Sequence, residues 1–196
     1  SPNREVKMEN DLGTILRKYG VLRTGHFLLT SGLHSDRYFE KFRILEQPRL
    51  CELFARLIAD HYRPAGATIV CGPTTGGAII AYEVARQLDT RCIIAEKSET
   101  GRKIGRGFVV TPADRILIVD DVLTTGGSIR DTIAALQATG AGIVGIGVFI
   151  NRSRGGSLPY PLFSAYSEPL NTYEPQHCPL CHRGLPLEIP GRSDKN

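Results

Sequence analysis

The sequence predicts an α/β protein built on a parallel sheet with helices on both faces. Short apolar runs suited to buried strands alternate with helical stretches along most of the 196 residues. The runs carry too few polar residues for strands that face water on one side. Two of them, ATIVCG and ILIVDD, lead into threonine- and glycine-rich turns that open helices.

The first clear helix is PRLCELFARLIADHY. Leu50, Leu53, Phe54, Leu57 and Ile58 fall at i, i+3, i+4, i+7 and i+8, forming one apolar stripe, and Pro48 suits the first turn. A Pro64–Gly66 break separates it from the strand ATIVCG. GGAIIAYEVARQL then reads as a helix and RCIIAEK as a strand. A polar, basic stretch, SETGRKIGRG, precedes the strand ILIVDD. SIRDTIAALQATG is helical, with Ile129, Ile133 and Leu136 inward and Gly140 as its stop; AGIVGIGVFI supplies a further strand. The last 45 or so residues, rich in Pro, Ser, Tyr and Gly, read as a smaller appendage with a frayed tail near GRSDKN.

Composition narrows the classes. Hydrophobic content of 41% and charged content of 22% are those of a water-soluble globular domain. A formal charge of +4 suits an anionic small substrate and is too small to argue for nucleic acid. Five scattered cysteines, an odd number, point to reduced thiols and a cytoplasmic setting. No apolar run approaches the ~20 residues that cross a bilayer, so no membrane partner is expected. The polar start SPNREVKMEN has no signal-like apolar region, and Met8 is a candidate natural start that would make residues 1–7 a leader.

The chemistry concentrates in ILIVDDVLTTGGS. Ligands of parallel sheets bind at the carboxyl ends of strands, where Asp120 and Asp121 fall. The turn after them combines hydroxyls (Thr124, Thr125, Ser128) with Gly126 and Gly127, whose bare backbone allows close approach at a helix N-terminus. That is a phosphate cradle. A P-loop would need lysine where Ser128 stands, and no GxGxxG is present. A sugar phosphate fits, its cis-diol on the carboxylates and its phosphate in the turn. The plainer reading is a strand-end turn with a capping serine. A second turn, CGPTTGG, is a weaker anion-site signal. HCPLCH offers half of a zinc site, but no second CxxC exists and neighbouring His177 and Cys178 cannot easily face one metal, so a loop is expected there.

The segment VDDVLTTGGS resembles the phosphoribosyl-pyrophosphate (PRPP) signature of type I phosphoribosyltransferases. That resemblance implies a central parallel sheet flanked by helices, with a small hood from the N- and C-terminal segments. It also implies Mg²⁺-dependent transfer of ribose 5-phosphate from PRPP to a nitrogenous base. GHFLLTSGLHSDRYFEK, FINRSRGG and the closing CPLCHRGLPLEIPG are similar to orotate phosphoribosyltransferases, extending the resemblance over most of the chain.

The resemblance assigns PRPP to Asp120, Asp121, Val122, Leu123, Thr124, Thr125, Gly126, Gly127 and Ser128. It assigns the pyrophosphate to Thr74, Thr75 and Gly76, and orotate to Thr124 and Arg152. Lys97, Lys103 and Arg106 fall on a basic loop that closes over PRPP and, in a homodimer, reaches the neighbouring site; the catalytic set is Asp120, Asp121, Lys97 and Lys103. Mg²⁺ is implied to be held mainly through PRPP and water, with no direct protein ligand. Thr30 and Thr75 stand where many orotate enzymes have lysine, and the loop lacks their histidine. One domain is expected, with its core at about 45–150 and its hood from about 8–44 and 151–190. Two alternatives stay open: a type I enzyme for another base, and a PRPP-sensing regulator. The regulator would need a nucleic-acid-binding unit, and none is legible before the core.

Overall fold

The chain begins with a helical stretch, α1 (11–18), and an antiparallel pair, β1 (Leu22–Leu28) and β2 (His34–Phe39). Helices α2 (Phe42–Leu45) and α3 (Pro48–Tyr62) follow, then β3 (Ile69–Pro73), α4 (Gly76–Leu88), β4 (Arg91–Ser98) and β5 (Gly101–Ile104). The remaining elements are β6 (Arg115–Leu123), α5 (Gly127–Gln137), β7 (Gly142–Asn151), β8 (Leu162–Ser167), β9 (Thr172–Tyr173) and the short α6 (Pro179–His182). This computed structural model describes residues 11–190; the candidate start at Met8 and the tail expected at GRSDKN lie outside the described residues. Two compact units result, one of 45–168 and one of 11–44 with 169–190.

In the larger unit six strands run in the order β5-β4-β3-β6-β7-β8, all neighbours parallel except the β4–β5 pair. The sheet's two faces follow from the two-residue period of strands. Ile69, Cys71, Ile93, Ala95, Ile116, Ile118, Ile146 and Val148 form one buried cluster with Ile129, Ile133 and Leu136 of α5. Residues of opposite parity in β7 meet α3. Phe149 lies 5.5 Å from Phe54 between ring centroids, and Gly147 and Gly145 leave room for Ile58 and Tyr62. A Cβ at Gly145 would fall 2.3 Å from the Tyr62 ring, so the glycines set how closely helix and sheet approach. The Tyr62 hydroxyl stands 2.9 Å from both the Ile146 and the Pro161 carbonyl oxygens, at the join of β7 and the approach to β8. Leu50, Phe54 and Ile58 of the expected stripe are buried, while Leu53 and Leu57 flank it half-buried.

The core does not stop near residue 150. Leu162–Ser167 (LFSAYS) adds a parallel edge strand beside β7, which moves this part of the expected hood segment 151–190 into the large sheet. Its mixed exposure is that of an edge strand, and that is why no apolar run announced it.

In the smaller unit β2 pairs with both β1 and β9. The C-terminal segment also returns to β1: Leu28 N donates to Glu188 O and Glu188 N donates to His26 O, each at 2.8 Å. Leu12, Leu16, Val21, Phe27, Phe39, Leu170 and Leu180 are buried here.

Candidate active site

Parallel register brings the ends of β3 and β6 side by side, from Ile69 opposite Ile116 to Cys71 opposite Ile118. Each strand passes through a glycine turn into a helix, α4 or α5. Neither helix start has a side-chain cap: the N-cap of α4 is Thr75 and that of α5 is Gly126, which holds φ 81°. The first-turn N–H groups of a helix lack intrahelical acceptors and carry the positive end of its dipole. Two helix starts of the kind that can take an anion therefore lie at neighbouring strand ends.

The acid pair lies beside the α4 turn. Asp120 and Asp121 are 8% and 6% exposed, so their carboxylates are fixed within the protein and not spread into solvent. Asp120 Oδ1 accepts from Asp121 N at 2.9 Å, and Asp121 Oδ1 accepts from Val122 N at 2.6 Å. Glycine makes this arrangement possible. A Cβ at Gly76 would lie 2.1 Å from Asp121 Oδ2, and one at Gly77 would lie 2.9 Å from Asp120 Oδ1. The sequence suggested that these glycines serve an anion; they also admit the two carboxylates. The Thr74–Thr75 peptide in the same turn is cis.

Past the acids, Thr124, Thr125 and Gly127 are exposed, Ser128 is half-buried, and Val122 and Leu123 complete the strand end. The Arg130 guanidinium donates to Thr125 O at 2.6 Å and steadies the turn. Arg152 follows the last residue of β7. The register pairs Leu123 with Asn151, and Arg152 N donates to Leu123 O at 2.9 Å. Thr124 and Arg152, assigned together by resemblance, are thus brought next to each other by the β6–β7 ladder. Asn151 Oδ1 accepts from Ser153 N at 2.9 Å and fixes the backbone just beyond the arginine.

The basic stretch forms the β4–β5 hairpin. Lys97 pairs with Arg102 and Glu96 with Lys103, so these two pairs project from opposite faces. Lys97 and Lys103 are not on one face, which the sequence did not reveal. Arg106, at φ 55°, is tied to Glu96 by contacts of 2.7–2.8 Å. Arg102 is the residue that resemblance did not single out. Its guanidinium donates to Ala95 O at 2.9 Å, Thr74 Oγ1 at 3.2 Å and Thr74 O at 3.3 Å, placing a cation on the α4 turn. Its signal was its cross-strand position opposite Lys97, visible only once the hairpin register is known. Burial pushes the Cys71 thiol in β3 up to about 12, so this neighbour of the turn stays protonated and is no nucleophile.

The chain is similar to known proteins over most of its length. The phosphoribosyl transferase domain family matches residues 42–177. The orotate phosphoribosyltransferase of Caldanaerobacter subterraneus subsp. tengcongensis is 40% identical over 178 residues, covering 90% of this chain and 94% of that protein. The enzyme of the same name from Pelotomaculum thermopropionicum is 38% identical, covering 93% and 96%. Among solved structures, the orotate phosphoribosyltransferase of Aeropyrum pernix superposes with a TM-score of 0.70 at 25% identity, covering 80% of this chain and 93% of that one. No helix among the described residues is long and apolar enough to cross a membrane. With its acid pair, its two glycine turns and these relatives, the chain belongs to the orotate phosphoribosyltransferase family of phosphoribosyl transferase domains.

Proposed function

We propose that this protein transfers ribose 5-phosphate from PRPP to orotate, giving orotidine 5′-phosphate and pyrophosphate, a step in pyrimidine nucleotide synthesis. The observation that carries this reading is the pair of uncapped helix starts, α4 and α5, beside the buried acids Asp120 and Asp121. PRPP has three groups for these three features: a pyrophosphate, a 5′-phosphate and a diol.

The α5 turn, Thr124 to Ser128, takes the 5′-phosphate on its N–H groups and hydroxyls. Asp120 and Asp121 accept hydrogen bonds from the ribose hydroxyls. Thr74, Thr75 and Gly76 take the pyrophosphate, with Arg102 anchored on Thr74. The bond between ribose C1 and the pyrophosphate oxygen breaks with both electrons leaving on oxygen, and N1 of orotate, its N1–H proton given up to solvent, forms the new bond through its lone pair. Charge stabilisation and positioning carry the step, without a covalent nucleophile. Lys97, Lys103 and Arg106 supply cations to the departing pyrophosphate. Buried carboxylates and hydroxyl-rich turns are hard oxygen donors that fit Mg²⁺; Asp120 and Asp121 would hold it through water, and the bound ion neutralises pyrophosphate charge.

A homodimer sharing residues 97–106 belongs to this reading, supported by the opposed faces of Lys97 and Lys103. A cytoplasmic setting belongs to it as well, supported by five cysteines none of which is in a disulfide.

Arg152 tests the base. A guanidinium grips a carboxylate through two parallel hydrogen bonds, and orotate carries a carboxylate. Arg152→Ala should lower kcat/KM for orotate by roughly 10²-fold, as expected for a lost charged contact, while the KM for PRPP stays within about threefold. Unchanged orotate kinetics in that variant would show that Arg152 does not hold the carboxylate.

A further inference from the structure

Far from the acid pair in sequence, the smaller unit gathers four side chains with no part in the transfer chemistry. His26 on β1, His34 on β2, Cys178 and Cys181 place their ligand atoms all within 4.8 Å of one another. His26, His34 and Cys178 are buried, and Cys181 is exposed. His26 Nε2 lies 2.9 Å from His34 Nδ1, 3.6 Å from Cys178 Sγ and 3.7 Å from Cys181 Sγ, while His34 Nδ1 lies 3.4 Å from Cys181 Sγ.

We propose that His26 Nε2, His34 Nδ1, Cys178 Sγ and Cys181 Sγ form a structural zinc site that ties the β1–β2 hairpin to the C-terminal segment. The three nitrogen–sulfur distances, 3.4–3.7 Å, are close to the edges of a tetrahedron. Zinc bonds of about 2.0–2.1 Å to nitrogen and 2.3 Å to sulfur imply edges near 3.3 Å (N···N), 3.6 Å (N···S) and 3.8 Å (S···S). The two imidazoles sit closer than that edge, so an ion entering between them would part them slightly.

The tautomer favours a metal. His26 Nδ1 lies 2.8 Å from Leu185 O. A carbonyl can only accept, so Nδ1 carries the proton and Nε2 turns its lone pair on the cluster. A ring N–H held by a backbone carbonyl is the outer-shell support that orients metal-ligating histidines. Four protein ligands close the shell and leave no position for substrate, which makes the site structural and not catalytic.

The ligand spacing also explains why the sequence did not show the site. The cysteines form a C-x-x-C turn, Cys178 leading into α6 and Cys181 one turn on. The histidines that complete it are not the flanking His177 and His182; they come from a hairpin about 150 residues earlier, where they read as part of GHFLLTSGLHS. The competing account is a metal-free cluster in which His34 Nδ1–H donates to His26 Nε2. It explains one distance, and it occupies the Nε2 lone pair that both thiols also approach, at 3.6 and 3.7 Å.

The test uses the full chain, purified without an affinity tag from zinc-supplemented cells, with metals measured by mass spectrometry. One zinc per chain is expected. Cobalt(II) substitution should give tetrahedral d–d bands and a thiolate charge-transfer band, and chelation should lower the first thermal transition by roughly 5–10 °C. Cys178→Ser, Cys181→Ser and His34→Ala should retain less than about a tenth of the zinc, whereas His177→Ala and His182→Ala keep it. Wild-type protein with negligible zinc and no cobalt spectrum, a Cys178–Cys181 disulfide, a different metal, or zinc lost equally in the flanking-histidine variants would each overturn the proposal. The wild-type metal content and cobalt spectrum decide the matter even where a ligand variant does not fold.

Discussion

A methyl group at position 76 would sit 2.1 Å from Asp121 Oδ2, and one at position 77 would sit 2.9 Å from Asp120 Oδ1. The acids and the glycines are therefore a single fitted feature, although 43 residues separate Asp120 from Gly77 in the chain. Alanine at 76 has to push the carboxylate aside, because the nearest atoms belong to a buried side chain and not to a flexible surface one. Gly76→Ala should lower kcat/KM for PRPP by roughly 10²–10³-fold, on the scale of losing a positioned electrostatic contact. The double variant Asp120→Asn/Asp121→Asn should show a loss at least as large with an unchanged circular dichroism spectrum. Steady-state kinetics with varied PRPP make the comparison, and wild-type kinetics in the glycine variant would show that the carboxylate positions are not needed. The acids and TTGGS were legible in sequence because they adjoin. The match between Gly76 and Asp121 was not, since it depends on the β3–β6 register.

Among the elements, the β4–β5 hairpin carries Lys97, Arg102 and Lys103. Its sequence shows basic residues but not their facing, and facing is fixed by register: Lys97 with Arg102 on one side, Glu96 with Lys103 on the other. Glu96 holds Arg106 in an ion pair, so that cation is committed to the hairpin in this conformation. If Lys103 serves the neighbouring subunit's site, two defective chains should repair each other. A mixed dimer of Lys103→Ala with Asp120→Asn/Asp121→Asn contains one site with intact acids and an intact incoming loop. Co-purified mixed dimers should recover about half of wild-type activity per dimer, against near-zero for either parent. No recovery would place Lys103 in its own subunit's site. The other elements were easier to read. The stripe of α3 and the inward face of α5 show the helical period; β3 and β7 are nearly pure apolar runs, and β6 holds one at Ile116–Val119. β8 escaped because an edge strand has no need of a continuous apolar sequence.

At the scale of the whole chain, the α/β class was legible because buried parallel strands leave short continuous apolar runs while amphipathic helices leave a 3.6-residue period. The smaller unit was less so. It is assembled from residues 11–44 and 169–190, and no local pattern announces a pairing across that distance. The same separation hid the four-ligand cluster, half of which was visible as CPLC and half of which looked like hairpin. The central claim for the molecule remains its reaction, and it is tested most directly by offering PRPP and Mg²⁺ with a panel of bases: orotate, uracil, adenine, guanine and hypoxanthine. Orotate's ultraviolet absorbance and released pyrophosphate are followed together. The account predicts PRPP-dependent loss of orotate with one pyrophosphate formed per orotidine 5′-phosphate, and no comparable turnover of the other bases. Turnover of a purine or uracil with orotate left untouched would contradict it.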